Sequence, residues 1–417
     1  MRASLTLLQC SFLVCLPAHL VATESWRELG QSGGHAVGSE SLPTRWNEEE
    51  NVSWKVAIPG DGWSSPVVDG GEIWLTTAVE EEKSLRVLSI DAKSGQVQLN
   101  VEVFRPDALV AKHARNSHAT PTPILDGEHV YVHFGSYGTA ALKRSDGEIQ
   151  WVNKNTVIEH QWGPGSSPIL VDDMIVFNCD GMDLRYVIAL NKHTGEEVWR
   201  TPRSKEITKG GFYKKAFSTP TVAMIEGKPT ILSSGANQFT ALSPETGAEL
   251  WSVEYFGYAG VTKPVIANGK AFVTSGYGDG TLLAVELSNK SGQDAAEKVV
   301  WSTNRNAPII PTPIVIGEQL YMASDGGVLT CLDASTGKVH WSERVPGNIA
   351  SSLTYGDGKL YVSNDRGQTI VYSPSTTEAK KLAVNQLDGN IQATPALVDG
   401  VIYLRTEHAL YRIEDGK

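Results

Sequence analysis

Cysteine is scarce and poorly placed for any covalent framework: there are four in 417 residues, and Cys10 and Cys15 fall near the start of the chain. The other two, Cys179 and Cys331, stand far apart, which excludes a disulfide scaffold. Both read as small buried hydrophobes in strands. Neither a Cys-x-x-Cys-His step nor a zinc-type spacing occurs, so covalent haem and structural zinc lose their usual sequence support, and no metal ligands are expected. No apolar run approaches the roughly 20 residues of a membrane-spanning helix. Gly-x-Ser-x-Gly, His-Glu-x-x-His and phosphate-binding Gly-rich loops are also missing, which removes the common hydrolase, metalloprotease and nucleotide-binding signatures. Basic residues are outnumbered, 36 Lys and Arg against 47 Asp and Glu, for a formal net charge of −11. That balance argues against nucleic acid as a partner.

What is present describes an exported globular chain. The composition is 41% hydrophobic and 20% charged, with 40 Gly and 20 Pro, enough to bury a core and outside the disordered and collagenous classes. Arg2, the apolar run Leu5 to Leu16 and small residues at Ala18 and Ala22 have the layout of a secretory signal peptide over residues 1–22, with cleavage near Ala22. The mature chain is then periplasmic or secreted. Lipid attachment at Cys15 ranks second, because Val14 stands where such sites usually take a small residue.

A repeat organises the rest. A Ser/Thr-Pro step, an apolar strand, a tight Asp-Gly or Asn-Gly turn and a second apolar strand return at Pro66, Pro123, Pro168, Pro220, Pro264, Pro313 and Pro395, with Ser352-Leu353 where an eighth would fall. The turn residues supply the positive φ that a two-residue hairpin needs. Most repeats continue with a third strand, a turn and a tryptophan, as in KHTGEEVW, PETGAELW and ASTGKVHW. Leu99 and Leu382 occupy that place in two repeats that lack it. Four strands per unit and eight units predict an all-β fold, an eight-bladed β-propeller over residues 46–417 preceded by an extension over 23–45. The last unit supplies only three strands, and Trp54 lies as far before Pro66 as Trp341 does before Leu353. Residues 51–58 are therefore expected to complete the last blade and close the ring.

The Thr-Gly-x-x-x-Trp units resemble the tryptophan-docking repeats of the PQQ-like propellers, which include quinoprotein dehydrogenases and the outer-membrane assembly lipoprotein BamB. The opening SWRELGQSGG with RWNEEENVSWKVAIPGDGWSSPVV looks closer still to exported PQQ-like repeat proteins of environmental bacteria. The resemblance implies the fold and assigns Trp151, Trp199, Trp251, Trp301 and Trp341 to gluing blades together by aromatic burial and an indole hydrogen bond. It does not carry over the cofactor. Quinoprotein dehydrogenases show adjacent cysteines near the quinone and hold calcium with a Glu, Asn and Asp set, and this chain has no Cys-Cys pair. No cofactor is expected, with PQQ plus calcium kept as the alternative.

Loop lengths say which face works. Turns between first and second strands and between third and fourth are mostly minimal, so the face they share is nearly bare except for SNKSGQDAAEK. Long connections FRPDALVAKHARNSHATP, NKNTVIEHQWGPGS and TPRSKEITKGGFYKKAFST crowd the other face, where a site is expected at the mouth of the central channel. Candidate binding residues are Asn116, His118, His160, Trp162, Asp180, Asp183, Arg185, Arg203, Lys205 and Tyr213. His118 and His160 precede inner strands and are expected to look into the channel; the alternative is a hydrogen bond to a neighbouring loop. Trp162 is either a sugar-stacking platform or a packed plug. Asp180, Asp183 and Arg185 are either a charged triplet for a ligand or an Asx-turn with a salt bridge. From Arg203 to Lys215 five cations accompany one anion, a patch that attracts anionic ligands. Three functions follow in order: a monomeric exported scaffold engaging an envelope protein or glycan; a lyase-type carbohydrate enzyme with His118 or His160 as base and Tyr137, Tyr213 or Tyr258 as acid; and a quinone-dependent dehydrogenase.

Overall fold

The computed structural model describes residues 24–38, 40–288 and 295–416. The leader, Cys15 and most of the SNKSGQDAAEK connection lie outside them. Eight four-stranded antiparallel sheets form the ring. Inner strands are Val67–Asp69, Ile124–Asp126, Ile169–Val171, Thr221–Ile225, Val265–Ala267, Ile314–Ile316, Thr354–Gly356 and Ala396–Val398, which number blades 1 to 8. Blade 8 adds Val401–Arg405 and Ala409–Ile413, and its outer strand is Val52–Ala57, paired with Lys55 opposite Tyr411. The expected closure by residues 51–58 is thus observed. An early strand and the last strand of the described chain share one sheet, which closes the ring. In the inner hairpins, Asn268, Asp357 and Asp399 take φ near 50°, each followed by a left-handed Gly, the backbone of a type I′ turn.

The recurrent Ser/Thr-Pro step has a physical reason visible only around the ring. Proline opens the inner strand, where no N–H is required, and the residue before it donates its backbone N–H to the hydroxyl of the same position one blade on. Ser65 donates to Thr122 Oγ1 (3.0 Å), Thr122 to Ser167 Oγ (2.9 Å) and Ser167 to Thr219 Oγ1 (2.9 Å). Lys263 donates to Thr312 (3.0 Å), Thr312 to Ser352 (3.1 Å), Ser352 to Thr394 (3.1 Å) and Thr394 back to Ser65 (3.1 Å). The circle breaks only where Lys263 replaces the hydroxyl. Its buried ammonium instead reaches Glu28 Oε1 at 3.2 Å and the Leu29 carbonyl at 3.0 Å.

Those contacts hold the N-terminal segment across the channel at the face of the short turns. Trp26 exchanges backbone hydrogen bonds with Val68, Ala36 donates to the Tyr355 carbonyl, Val37 to that of Leu397, and the Trp46 N–H reaches Asn385 Oδ1 at 2.9 Å. Trp26, Leu42 and Trp46 join the core that blades 1, 7 and 8 share. The face read as bare is therefore covered at its centre by the extension itself.

Farther out, each tryptophan docks on the next blade. Indole N–H groups donate to carbonyls from Trp54 to Ala92 (3.3 Å), Trp151 to Lys192 (2.8 Å), Trp199 to Pro244 (2.8 Å) and Trp301 to Ala334 (3.1 Å). Three residues past each acceptor lies a glycine, and a Cβ at Gly195, Gly247 or Gly337 would come within 2.4, 2.5 or 2.7 Å of the ring. Trp199→Phe keeps most of the burial and loses the bond, so it should cost about 1 kcal/mol in a urea unfolding curve. An unchanged midpoint would deny the indole its role. One position needs correcting: blade 7 has a bulge that leaves Leu382 unpaired, and Ala383, opposite Val371, stands where Trp341 does opposite Cys331. Cys179 and Cys331 are buried and free, as small core residues.

Candidate functional site

The connections between blades converge on an open chamber of about 520 Å³ in the channel mouth. Its floor is Leu29 from the N-terminal segment, and above that lies the Ser/Thr circle. One wall is aromatic: Phe212 lies 5.9 Å from Trp162 and 5.5 Å from Tyr258, ring centre to ring centre, and Tyr258 lies 6.2 Å from Tyr277. A two-residue pairing of Gly257–Tyr258 with Tyr277–Gly278 fixes the last pair. Phe217, Val261 and Ile310 extend this wall, and among the described residues no carboxylate lines the chamber.

The residues at 113–116 cross the mouth. Arg115, from the connection entering blade 2, comes within 3.9 Å of Asp325 on blade 6. Burial raises the pKa of Asp325 while the Ile309 N–H and Arg115 pull it back. Beyond this strap a second chamber of about 310 Å³ is lined by Trp63, Asn348, Asp365, Asn390, Gln392 and Glu407, among others.

The structure disperses the residues singled out from sequence. Asn116 and Trp162 line the mouth. Asn116 staples the loops, its amide donating to the carbonyls of Trp162 (2.7 Å) and Pro164 (2.9 Å). Tyr213 stacks behind them, 4.3 Å from Phe212 and 5.0 Å from Tyr258, under the ammonium of Lys209. His118 and His160 do not look into the channel. His118 is buried against Tyr137, Nδ1 to hydroxyl 3.3 Å, with Glu80 3.9 Å away, and burial lowers its pKa. Its loop contact is the alternative that preceding an inner strand left open.

His160 turns into a small polar space beneath the aromatic wall. Its Nε2 accepts the Ser136 N–H at 3.2 Å, so in the neutral ring Nδ1 carries the proton. Nδ1 lies 2.8 Å from Nζ of Lys215, whose lone pair can accept the Nδ1 proton once the amine is uncharged, above about pH 8. Lys215 is 1% exposed, and burial lowers its pKa to about 8 against the pull of Asp180, Cys179 and Asp183. Burial, then Lys215 and His133, holds His160 well below its usual range, and burial alone takes His133 to about 3.

The charged triplet separates as well. Asp180 pairs with Arg203, Oδ1 to Nε 3.0 Å and Oδ2 to Nη2 2.7 Å, both side chains at most 1% exposed. Asp183 is exposed and caps the Glu159 N–H at 2.8 Å. Arg185 donates to the carbonyls of Ala236 and Lys205, while the Lys205 ammonium pairs with Glu254. The expected cationic patch is thus largely paired or hidden: Arg203 pairs with Asp180 and Lys205 with Glu254, while Lys215 is buried. Missed in the sequence were Phe212, Phe217 and Tyr277, lone aromatics in loops of neighbouring blades, and the polar lining from blades 6 to 8, whose short connections drew no notice; Tyr258 was weighed only as a lyase acid.

A family model described as outer membrane protein assembly factor BamB matches residues 44–159, 183–316 and 292–407. The chain belongs to this family of PQQ-like propellers. Among relatives, BamB of Shewanella oneidensis is 26% identical over 195 residues, 44% of this chain and 44% of that protein, so the chain spans less than half of that relative's length. The crystal structure of BamB from Moraxella catarrhalis superposes with a TM-score of 0.60 at 12% identity, covering 87% of this chain and 99% of that one. A quinohemoprotein alcohol dehydrogenase from Comamonas testosteroni gives 0.64 at 13% identity, covering 96% and 82%. At these identities both attest the fold alone. Among the described residues no three His, Cys, Asp or Glu side chains gather into a metal-holding group, and the aromatic wall has no carboxylate beside it.

Proposed function

We propose that the protein is exported to the cell envelope and works there as a monomeric binding scaffold, docking an apolar segment of another envelope protein in the aromatic chamber. The observation that carries this is a wide, preformed mouth walled by Trp162, Phe212, Phe217, Tyr258 and Tyr277 and free of carboxylates. Aromatic surface of that kind gives much contact area for little lost side-chain entropy. The family description as an assembly factor supports the same reading. A lyase would need a base and an acid converging on one substrate. Neither His118 nor Tyr137 lines the mouth, and His160 is held by Ser136 and Lys215.

A photo-crosslinking residue at Tyr277, 44% exposed, should join one discrete envelope protein, while one at Val384 on an outer strand should join none. With that partner purified, Phe212→Ser should weaken binding at least tenfold. Crosslinks from Val384 instead, or affinity indifferent to Phe212, would overturn the reading.

A further inference from the structure

We infer that the second chamber, between the 113–116 strap and blades 6 to 8, is a binding site for a neutral sugar ring, separate from the protein-docking wall. The chamber holds about 310 Å³, at the lower end of small-molecule sites, which run to roughly 300–1,000 Å³. Its lining mixes donors and acceptors. Asp365 and Glu407 accept, Arg115 donates, and Asn348, Asn390 and Gln392 do both. A cation wants acceptors only, and an anion wants donors only. An uncharged polyol, each of whose hydroxyls donates and accepts, is the ligand that uses this whole set.

Two further observations point to a ligand. Trp63 lines both chambers, so it offers a flat apolar face where they meet, and a pyranose presents an apolar C–H face to match. The acceptors are also preset. Asn348 clasps Asp365 with its backbone N–H on Oδ1 (2.9 Å) and its amide on Oδ2 (2.7 Å), while Asp365 returns its own N–H to the Asn348 carbonyl (2.9 Å). Gln392 Nε2 is likewise held by Asn390 Oδ1 at 3.1 Å. Side chains fixed before binding lose little entropy on binding.

Titration calorimetry with maltose, cellobiose and N,N′-diacetylchitobiose tests this, with glucosamine and glucuronate as charged comparisons. At least one neutral disaccharide should bind saturably, and more tightly than either charged sugar. Glu407→Ala and Asp365→Ala should each weaken it at least tenfold, about 1.4 kcal/mol, with thermal unfolding showing the variants folded. Trp63→Ala removes the apolar ring face and should weaken it severalfold. Phe212→Ser, which disables the protein-docking wall, should leave it unchanged, so the two readings fail separately. No saturable binding by the three disaccharides, a preference for either charged sugar, or binding that survives both carboxylate variants would overturn the inference.

Discussion

Asp180→Ala is expected to cost about 3–5 kcal/mol of folding stability, the usual penalty for stranding one member of a buried ion pair. The guanidinium of Arg203 is fully enclosed and lies against Gly235, where a Cβ would come within 2.7 Å of its Nε. Its charge is answered by Asp180 in a two-bond fork, with a longer bond at 3.4 Å from Nη2 to the Ser234 carbonyl. Removing the carboxylate leaves a cation that neither water nor another anion can reach. Replacing both partners, Asp180→Leu with Arg203→Met, removes the stranded charge and should recover most of the loss. Urea unfolding followed by fluorescence and circular dichroism measures both, provided the two probes coincide. A single variant within about 1 kcal/mol of the parent, or a double variant as poor as the single one, would show that the pair is not closed off as described.

That pair illustrates what a sequence can and cannot disclose. Asp180 and Arg203 were noticed because they are charged residues at loop positions, and charge alone does not say whether water or protein answers it. The fold was legible because a propeller repeats its own logic. Ser/Thr-Pro steps, Asp-Gly turns and Thr-Gly-x-x-x-Trp units recur with a period, and each has a local physical cause. The circle of hydroxyl bonds and the docking of Trp199 over Gly247 are the three-dimensional form of those periods. The site has no period. Phe212, Tyr258 and Tyr277 come from different loops and meet only because neighbouring blades pack side by side, so no spacing announces them. His160 failed as a channel-facing residue for a similar reason: its direction is set by Ser136 and Lys215, far along the chain on either side. Leu382 failed by a single residue because the turn before it is longer in blade 7: Val371 and its partner Ala383 are 12 positions apart (383 − 371), against 10 for Cys331 and Trp341 (341 − 331).

Lys215 supplies the second large effect, and its sign follows from proton counting. In the unfolded chain its amine keeps a proton up to about pH 10.4, whereas in the folded protein it releases that proton above about 8. Between those values the unfolded state binds more protons, so this group makes stability rise with pH, by about 3 kcal/mol over the window. Below about pH 8 both states are protonated and the cost of burying the ammonium is fully present. Cys179 and Cys331, whose thiols burial raises to about 12 and about 11, pull the other way, as do buried tyrosines such as Tyr131 and Tyr372. The informative quantity is therefore the difference between the parent and Lys215→Met, from which those contributions cancel. Lys215→Met should be the more stable at pH 7.5, and its advantage should shrink by about 3 kcal/mol by pH 10.5. A difference flat across that range would mean that the amine keeps its charge and that His160 carries its proton on Nε2, breaking the bond from Ser136. Because Asp180 pulls the Lys215 pKa upward, Asp180→Ala should move the start of the rise to lower pH, which ties the two predictions to one buried charge balance beneath the aromatic wall.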